Sequence, residues 1–453
     1  MAKQKQKLPV SIKVGWAVGE LAVASYIGLT IAFLLFYSTQ ALGISPWLAG
    51  LVLLAPRLWD AFTDPLMGAI SDRTRSKMGR RRPYLLVGSV LLGLSIAGLF
   101  AAPVEASEMH KALYVLLFYF LASTAITIYD VPYSSMMAEM TDDYDERTLL
   151  TGYKMVAARL GILAILFAVP AVFGSGDNLA EGFRWVGFGF GGFIILTGLA
   201  SFFLTKNAPR LEKPVSSFRV KDEINAIRHN KPFRALWIVF FFQNLAIGAS
   251  ATTLLYMLTV VVQLAPNLIG SFMAIGAVTA TIVTPIWVMV GRKISKRKSY
   301  YVALVLSVLA PIPMLFIQPG AYAVLIFILI FIGTSEAANQ IFPNAMVPDT
   351  VEIDELQTGE RREGAIFGAW AFCRKVGMTG GAFLVSLLLS ASGFVQGAGA
   401  DAQPESALLG VRLGYALLPI CLWIIALLLL RRYKLTEEIF NETKAQIAAK
   451  NQA

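Results

Sequence analysis

The sequence predicts an all-helical membrane protein with twelve spanning segments in two six-helix halves. Three observations carry that expectation: the composition, the number of apolar runs, and an echo between the halves. Hydrophobic residues make up 56% of the 453 and charged residues only 15%, where a soluble domain carries about 25% charge. A spanning helix needs ~20 mostly apolar residues. Such runs begin near residues 15, 46, 83, 112, 149, 183, 234, 267, 299, 321, 363 and 408. The echo lies after runs 4 and 10, in "MAEMTDDYDERTLLTG" and "MVPDTVEIDELQTGERREG". Setting Met137 on Met346 also aligns Thr141 with Thr350, Asp145 with Asp354 and Glu146 with Glu355. The division is therefore 1–205 for the first bundle, 206–232 for a central loop, 233–434 for the second bundle, and 435–453 for a tail.

The basic residues orient these runs. The net charge is +10, but the lysines and arginines cluster in short loops between apolar runs, which argues against nucleic-acid binding. The loop after run 2, "SDRTRSKMGRRRP", holds six of them from Arg73 to Arg82, and "GRKISKRKS" after run 8 holds five. The loops near 43, 265 and 319 hold none. Both termini and the even-numbered loops are thus expected on the cytoplasmic side of an inner membrane. The N-terminal "MAKQKQKLPVSIK" reads as a basic tail before a retained first helix. The apolar run after it is too long for a signal-peptide core.

Several residue types exclude function classes. Cys373 and Cys421 both fall in apolar runs, so packing roles are expected, with no disulfide framework and no zinc spacing. His110 and His229 fall in expected loops, which leaves carboxylates for any proton-linked chemistry in the membrane. No nucleophile–base pair or metal-ligand cluster is visible, so the chain is not expected to be an enzyme or to hold a resident cofactor. The glycine run "GFGFGG" (187–192) lies inside run 6 with no strand before it, which points to close helix packing.

The informative residues are charges in hydrocarbon. Each costs roughly 2.5–3.5 kcal/mol at the centre of a spanning helix on insertion scales. Helix 2 carries Arg57, Asp60 and Asp64 at i, i+3 and i+7, on one face. Thr63 beside them, with Thr127 and Asp130 on helix 4, completes a set of hard oxygen ligands. The set suits a small cation such as sodium, or a carboxylate that takes up a proton. A permanent salt bridge through Arg57 is the competing reading, although one arginine neutralises only one of three aspartates. On helix 11, Lys375 is either a counter-charge for these aspartates or a snorkelling side chain. Glu20 on helix 1 and Glu336 on helix 10 are further intramembrane carboxylates. Lys154 on helix 5 reads as a gate contact or a loop anchor. In the loops, Arg73, Arg80, Arg81, Asp142, Asp145, Glu146, Asp349, Asp354, Glu355, Arg361 and Arg362 supply opposite charges that could close a cytoplasmic gate.

Four stretches carry a resemblance: "RLWDAFTDPLMGAISDRTRSKMGRRRPYLL", "YDVPYSSMMAEMTDDYDERTLLTGYK", "VPDTVEIDELQTGERREGAIFGAWAFCRK" and, more loosely, "VGWAVGELA". In order and spacing they resemble the glycoside–pentoside–hexuronide:cation symporters, the melibiose permease-like group of the major facilitator superfamily. The resemblance implies a cation site at Asp60, Asp64, Thr63 and Thr127, with Asp130 beside it and Lys375 near both cation and substrate. Sodium, lithium and protons all serve as the cation in that family. Thr63 stands where sodium-coupled members carry asparagine. Leu21, rather than Glu20, aligns with the helix 1 acid. Ser134 replaces an aromatic that would face a sugar ring, leaving Tyr129, Tyr133, Trp370 or Phe372 as substitutes. The function implied is symport of a sugar-like small organic solute with a monovalent cation, by a monomer in the lipid bilayer. Alternatives are cation-coupled transport of a lysolipid or other amphiphile, and a transporter-like sensor that moves nothing.

Overall fold

The computed structural model describes residues 7–141, 143–173, 178–210, 228–358, 362–435, 439–440, 442–443 and 446. Most of the expected central loop and tail lies outside the described residues, as do Asp142 and Arg361 of the expected gate. Among the described residues the chain forms twelve long helices. The first six are α1 (Val10–Ala41), α2 (Pro46–Arg73), α3 (Arg82–Leu99), α4 (Glu108–Met140), α5 (Tyr144–Phe173) and α6 (Leu179–Leu204). The second six are α7 (Lys231–Val261), α8 (Pro266–Ile294), α9 (Lys296–Leu315), α10 (Tyr322–Thr358), α11 (Glu363–Ala391) and α12 (Glu405–Leu430). Eleven of the twelve are long and apolar enough to cross a membrane. The remaining one is α2, where Arg57, Asp60 and Asp64 lower the hydropathy.

The chain divides into two compact units, Met1–Ser217 with Gln396–Ala398, and Phe218–Val395 with Gly399–Ala453. In the first, α1 packs on α5 and α6, α2 on α4, and α3 on α4 and α6. In the second, α7 packs on α11 and α12, α8 on α10, and α9 on α10 and α12. The two sets of pairs correspond one to one.

Small residues allow these close approaches. A Cβ on Gly191 in α6 would sit 2.5 Å from the Gly93 carbonyl oxygen in α3, so the glycine run inside α6 serves helix packing. A Cβ on Gly248 in α7 would collide with the Met378 carbonyl in α11. The α1–α2 and α7–α8 corners share one backbone design. Each helix ends in a π turn, Tyr37–Ala41 or Met257–Val261. A left-handed residue follows, Gly43 at φ 68° or Gln263 at φ 54°. Then a proline, Pro46 or Pro266, opens the next helix, where its missing N–H is harmless.

Two expectations are corrected here. His110 is not in a loop but in the first turn of α4, where its backbone N–H is capped by Ser107. His229 is in a helical turn just before α7. Cys373 is buried, whereas Cys421 is exposed and does not pack into its own unit.

Candidate functional site

In the first unit the intramembrane charges form two groups. The first is centred on Arg57, which is 8% exposed. Its guanidinium donates to Thr30 Oγ1 at 3.1 Å and to Asp60 Oδ2 at 3.5 Å. It also lies 5.0 Å from the Tyr26 ring centroid and 5.6 Å from that of Tyr119. Asp60 is fully buried, and the Ser123 hydroxyl donates to its Oδ1. Removing two charges from water is costly, and this pair is stabilised by the bonds and ring faces around it. Asp60 is therefore held by Arg57 and Ser123 and shielded from solvent.

Asp64, one turn further along α2, is half-buried and accepts a hydrogen bond from Thr127 Oγ1 of α4 at 2.7 Å. Spacing alone put Arg57, Asp60 and Asp64 in one set. The structure divides them into a sealed pair and a more accessible carboxylate. Thr63 donates its hydroxyl to the Trp59 carbonyl of its own helix at 3.3 Å. Its hydrogen is therefore committed to its own backbone, and only its oxygen lone pairs are left for a ligand.

The second group links three helices. Lys154 Nζ of α5 stands 3.2 Å from Glu20 Oε2 of α1 and donates to Ser134 Oγ of α4 at 3.2 Å. Ser134 donates to Asp130 Oδ1 at 3.0 Å. Lys154 also lies 5.2 Å from the Tyr133 ring centroid and 5.9 Å from that of Trp16. Lys154 thus contacts an intramembrane acid and does not anchor a loop. Sequence reading missed Ser123, Thr30 and Ser134 as partners. The signal for Ser134 was its place four residues after Asp130, on the same helical face.

Tyr129 and Tyr133 do not offer open ring faces. Both are fully buried, and their hydroxyls donate to the Gly19 and Trp16 carbonyls of α1 at 3.2 and 3.0 Å. They pack α4 against α1, which corrects their expected place as a sugar platform. Trp370 is corrected likewise. It stacks on Phe240 with centroids 3.7 Å apart, and its Nε1 donates to Asn344 Oδ1 at 2.9 Å. Phe372 remains exposed.

In the second unit, Glu336 is half-buried and accepts from Gln340 Nε2 at 2.9 Å. Lys375 is half-buried on α11. Among the described residues no group of three His, Cys, Asp or Glu could hold a metal ion.

Six of the expected gate residues, Arg80, Arg81, Glu146, Asp349, Asp354 and Arg362, have partners within their own unit. Glu139 Oε1 accepts from Arg80 Nε at 2.8 Å and Arg81 Nε at 2.7 Å, and Asp72 also pairs with Arg81. Glu146 meets Lys13 at 2.8 Å and the Leu8 backbone N–H at 3.1 Å. In the second unit Asp354 holds Arg362 through two bonds of 2.9 and 2.7 Å. Asp349 meets Lys296 at 2.8 Å. Arg73 and Asp145 are exposed, and Glu355 is half-buried. These pairs join helices and the links between them inside each bundle. A buried acid beside a fixed base is satisfied locally.

Twelve helices in two matching bundles, with acids held inside the first, define a membrane transporter of the major facilitator type. The chain belongs to the family described as "MFS/sugar transport protein", whose pattern it matches over residues 15–437. It is 29% identical over 450 residues to the uncharacterized symporter YnaJ of Bacillus subtilis (strain 168), covering 97% of this chain and 95% of the other. It is 28% identical over 443 residues to the putative glycoside/cation symporter YagG of Escherichia coli (strain K12), covering 95% and 93%. Among solved structures, a bacterial homolog of the human lysosomal transporter Spinster superposes with a TM-score of 0.70. The identity is 15%, and 96% of this chain and 97% of the other are covered. That likeness shows the fold alone. The protein is an integral membrane transporter and not an enzyme.

Proposed function

We propose that the protein is a cation-coupled symporter of a sugar or glycoside-like small organic solute, with both termini in the cytoplasm. The observation that carries this reading is Asp64. Its half-buried carboxylate is oriented by the neutral Thr127 hydroxyl at 2.7 Å, one turn from an Asp60 that Arg57 already meets. Carboxylate and hydroxyl oxygens from two different helices meet there, and hard oxygen donors of this kind are the ligands a small cation takes. The likeness to a putative glycoside/cation symporter supports both the coupling and the solute class. A monovalent cation moving down 100 mV contributes ~2.3 kcal/mol, enough for about 50-fold accumulation.

The test is uptake of labelled glycosides into vesicles under an imposed sodium or proton gradient. Asp64→Asn is expected to lower gradient-driven uptake at least about 100-fold while leaving solute exchange measurable. Full gradient-driven uptake by Asp64→Asn would sink the assignment.

A further inference from the structure

The first unit carries a pocket that the transport reading leaves unused. It is a small, partly open cleft between the α2–α3 link, the end of α4 and the residues after α6. Arg80, Arg81, Arg82 and Arg210 line it, with Glu139 as the one lining carboxylate. Arg80 and Arg81 are held by Glu139 and Asp72. Among the described residues neither Arg82 nor Arg210 has a carboxylate within ion-pair distance.

Arg82 is only 6% exposed. One of its terminal nitrogens donates to the Phe202 carbonyl at 2.6 Å, and the guanidinium lies 4.4 Å from the Phe202 ring centroid. Its Nε–H is buried without a hydrogen-bond partner. A buried donor on a charged group is costly to leave unmade, which favours an added acceptor there. Arg210 reaches the same place because Gly79 has no side chain. A Cβ on Gly79, which has φ 91°, would sit 3.1 Å from Arg210 Nε.

We propose that this pocket binds a phosphate-bearing anion through Arg82 and Arg210. The planar guanidinium fork matches two phosphate oxygens at once, and charge-assisted bonds of this kind are the strong ones. Two sources share that chemistry: the headgroup of an anionic phospholipid and free inorganic phosphate. Exposed Met78, Phe203 and Leu204 beside the pocket offer apolar surface to the acyl chains of a lipid.

The test uses the full-length protein, delipidated in an uncharged detergent. Its melting temperature is followed on titration with phosphatidylglycerol, phosphatidylcholine, sodium phosphate, and sodium chloride at matched ionic strength. Stabilisation by phosphatidylglycerol but not phosphatidylcholine supports a headgroup site. Stabilisation by phosphate beyond chloride supports a free-anion site. Arg210→Gln, at an exposed side chain, is expected to weaken the apparent affinity about tenfold. Arg82→Gln is expected to do at least as much, and if it fails to fold Arg210→Gln still decides. Lys206→Gln, an exposed base that does not line the pocket, is expected to change nothing. The proposal is overturned if neither anion stabilises beyond its control, if Arg210→Gln leaves the affinity unchanged, or if Lys206→Gln weakens it equally.

Discussion

Helices α2 and α8 do the same architectural work with different residues. Shifted by 220 residues, Pro46 falls on Pro266, Gly50 on Gly270, Pro65 on Pro285 and Arg73 on Lys293. Corner hydrogen bonds repeat too: Leu42 N to Tyr37 O at 3.1 Å becomes Val262 N to Met257 O at 2.9 Å. Yet Arg57, Asp60 and Asp64 become Ala277, Ala280 and Thr284. The second unit shows that the fold needs the prolines, the glycine and the turn, but none of the three charges. Their insertion cost in α2 is thus borne for something other than packing.

The largest effect that would break this comparison is at Arg57. Arg57→Ala leaves Asp60 buried without its cation and is expected to cost about 3–5 kcal/mol. Arg57→Ala with Asp60→Ala writes the α8 residues into α2 and is expected to restore most of that loss. Thermal unfolding of the purified variants measures both, and a double variant as unstable as the single one would refute the equivalence.

The reverse transplant sharpens the comparison. Thr284→Asp puts an acid into α8 and is expected to cost roughly 2.5–3.5 kcal/mol. Because Thr127 and its partners belong to the first unit, the number of cations moved per solute should not change. A flux-ratio measurement that finds an additional coupled cation would contradict this.

Smallest is Ser134→Ala, which cuts the link between Asp130 and Lys154 and should cost about 0.5–1.5 kcal/mol. It should raise KM a few-fold with little change in maximal rate, and Ser134→Thr should restore it. An unchanged KM would leave Ser134 with a packing role only.

The helices themselves were legible, because twelve apolar runs leave few other solutions in a bilayer. Their starts fell within five residues of those observed, as for α1 at Val10 against 15 and α9 at Lys296 against 299. The face shared by Arg57, Asp60 and Asp64 was legible too, since helical spacing is local. What spacing could not reveal was which charge finds a partner. Thr30, Ser123, Tyr26 and Tyr119 reach Arg57 and Asp60 from helices distant in sequence. The same holds for the loop acids: a long-range partner such as Lys13 for Glu146 leaves no mark on the sequence near Glu146. The register of the repeat was also partly hidden. The shift is 220 residues at α2 and α8 but 209 at the ends of α4 and α10, and most of that change arises because residues 74–81 separate α2 from α3 where Ser295 alone separates α8 from α9.

Ser295, at φ 75°, has a mechanical consequence. A single residue between two helices leaves only two soft torsions, against roughly sixteen for the stretch between α2 and α3. Any swivel of α8 must therefore drag α9 with it, as a crank drags its arm, whereas α2 can pivot while α3 stays still. A flexible peptide spliced in beside Ser295 adds torsions there and should let the two helices move independently.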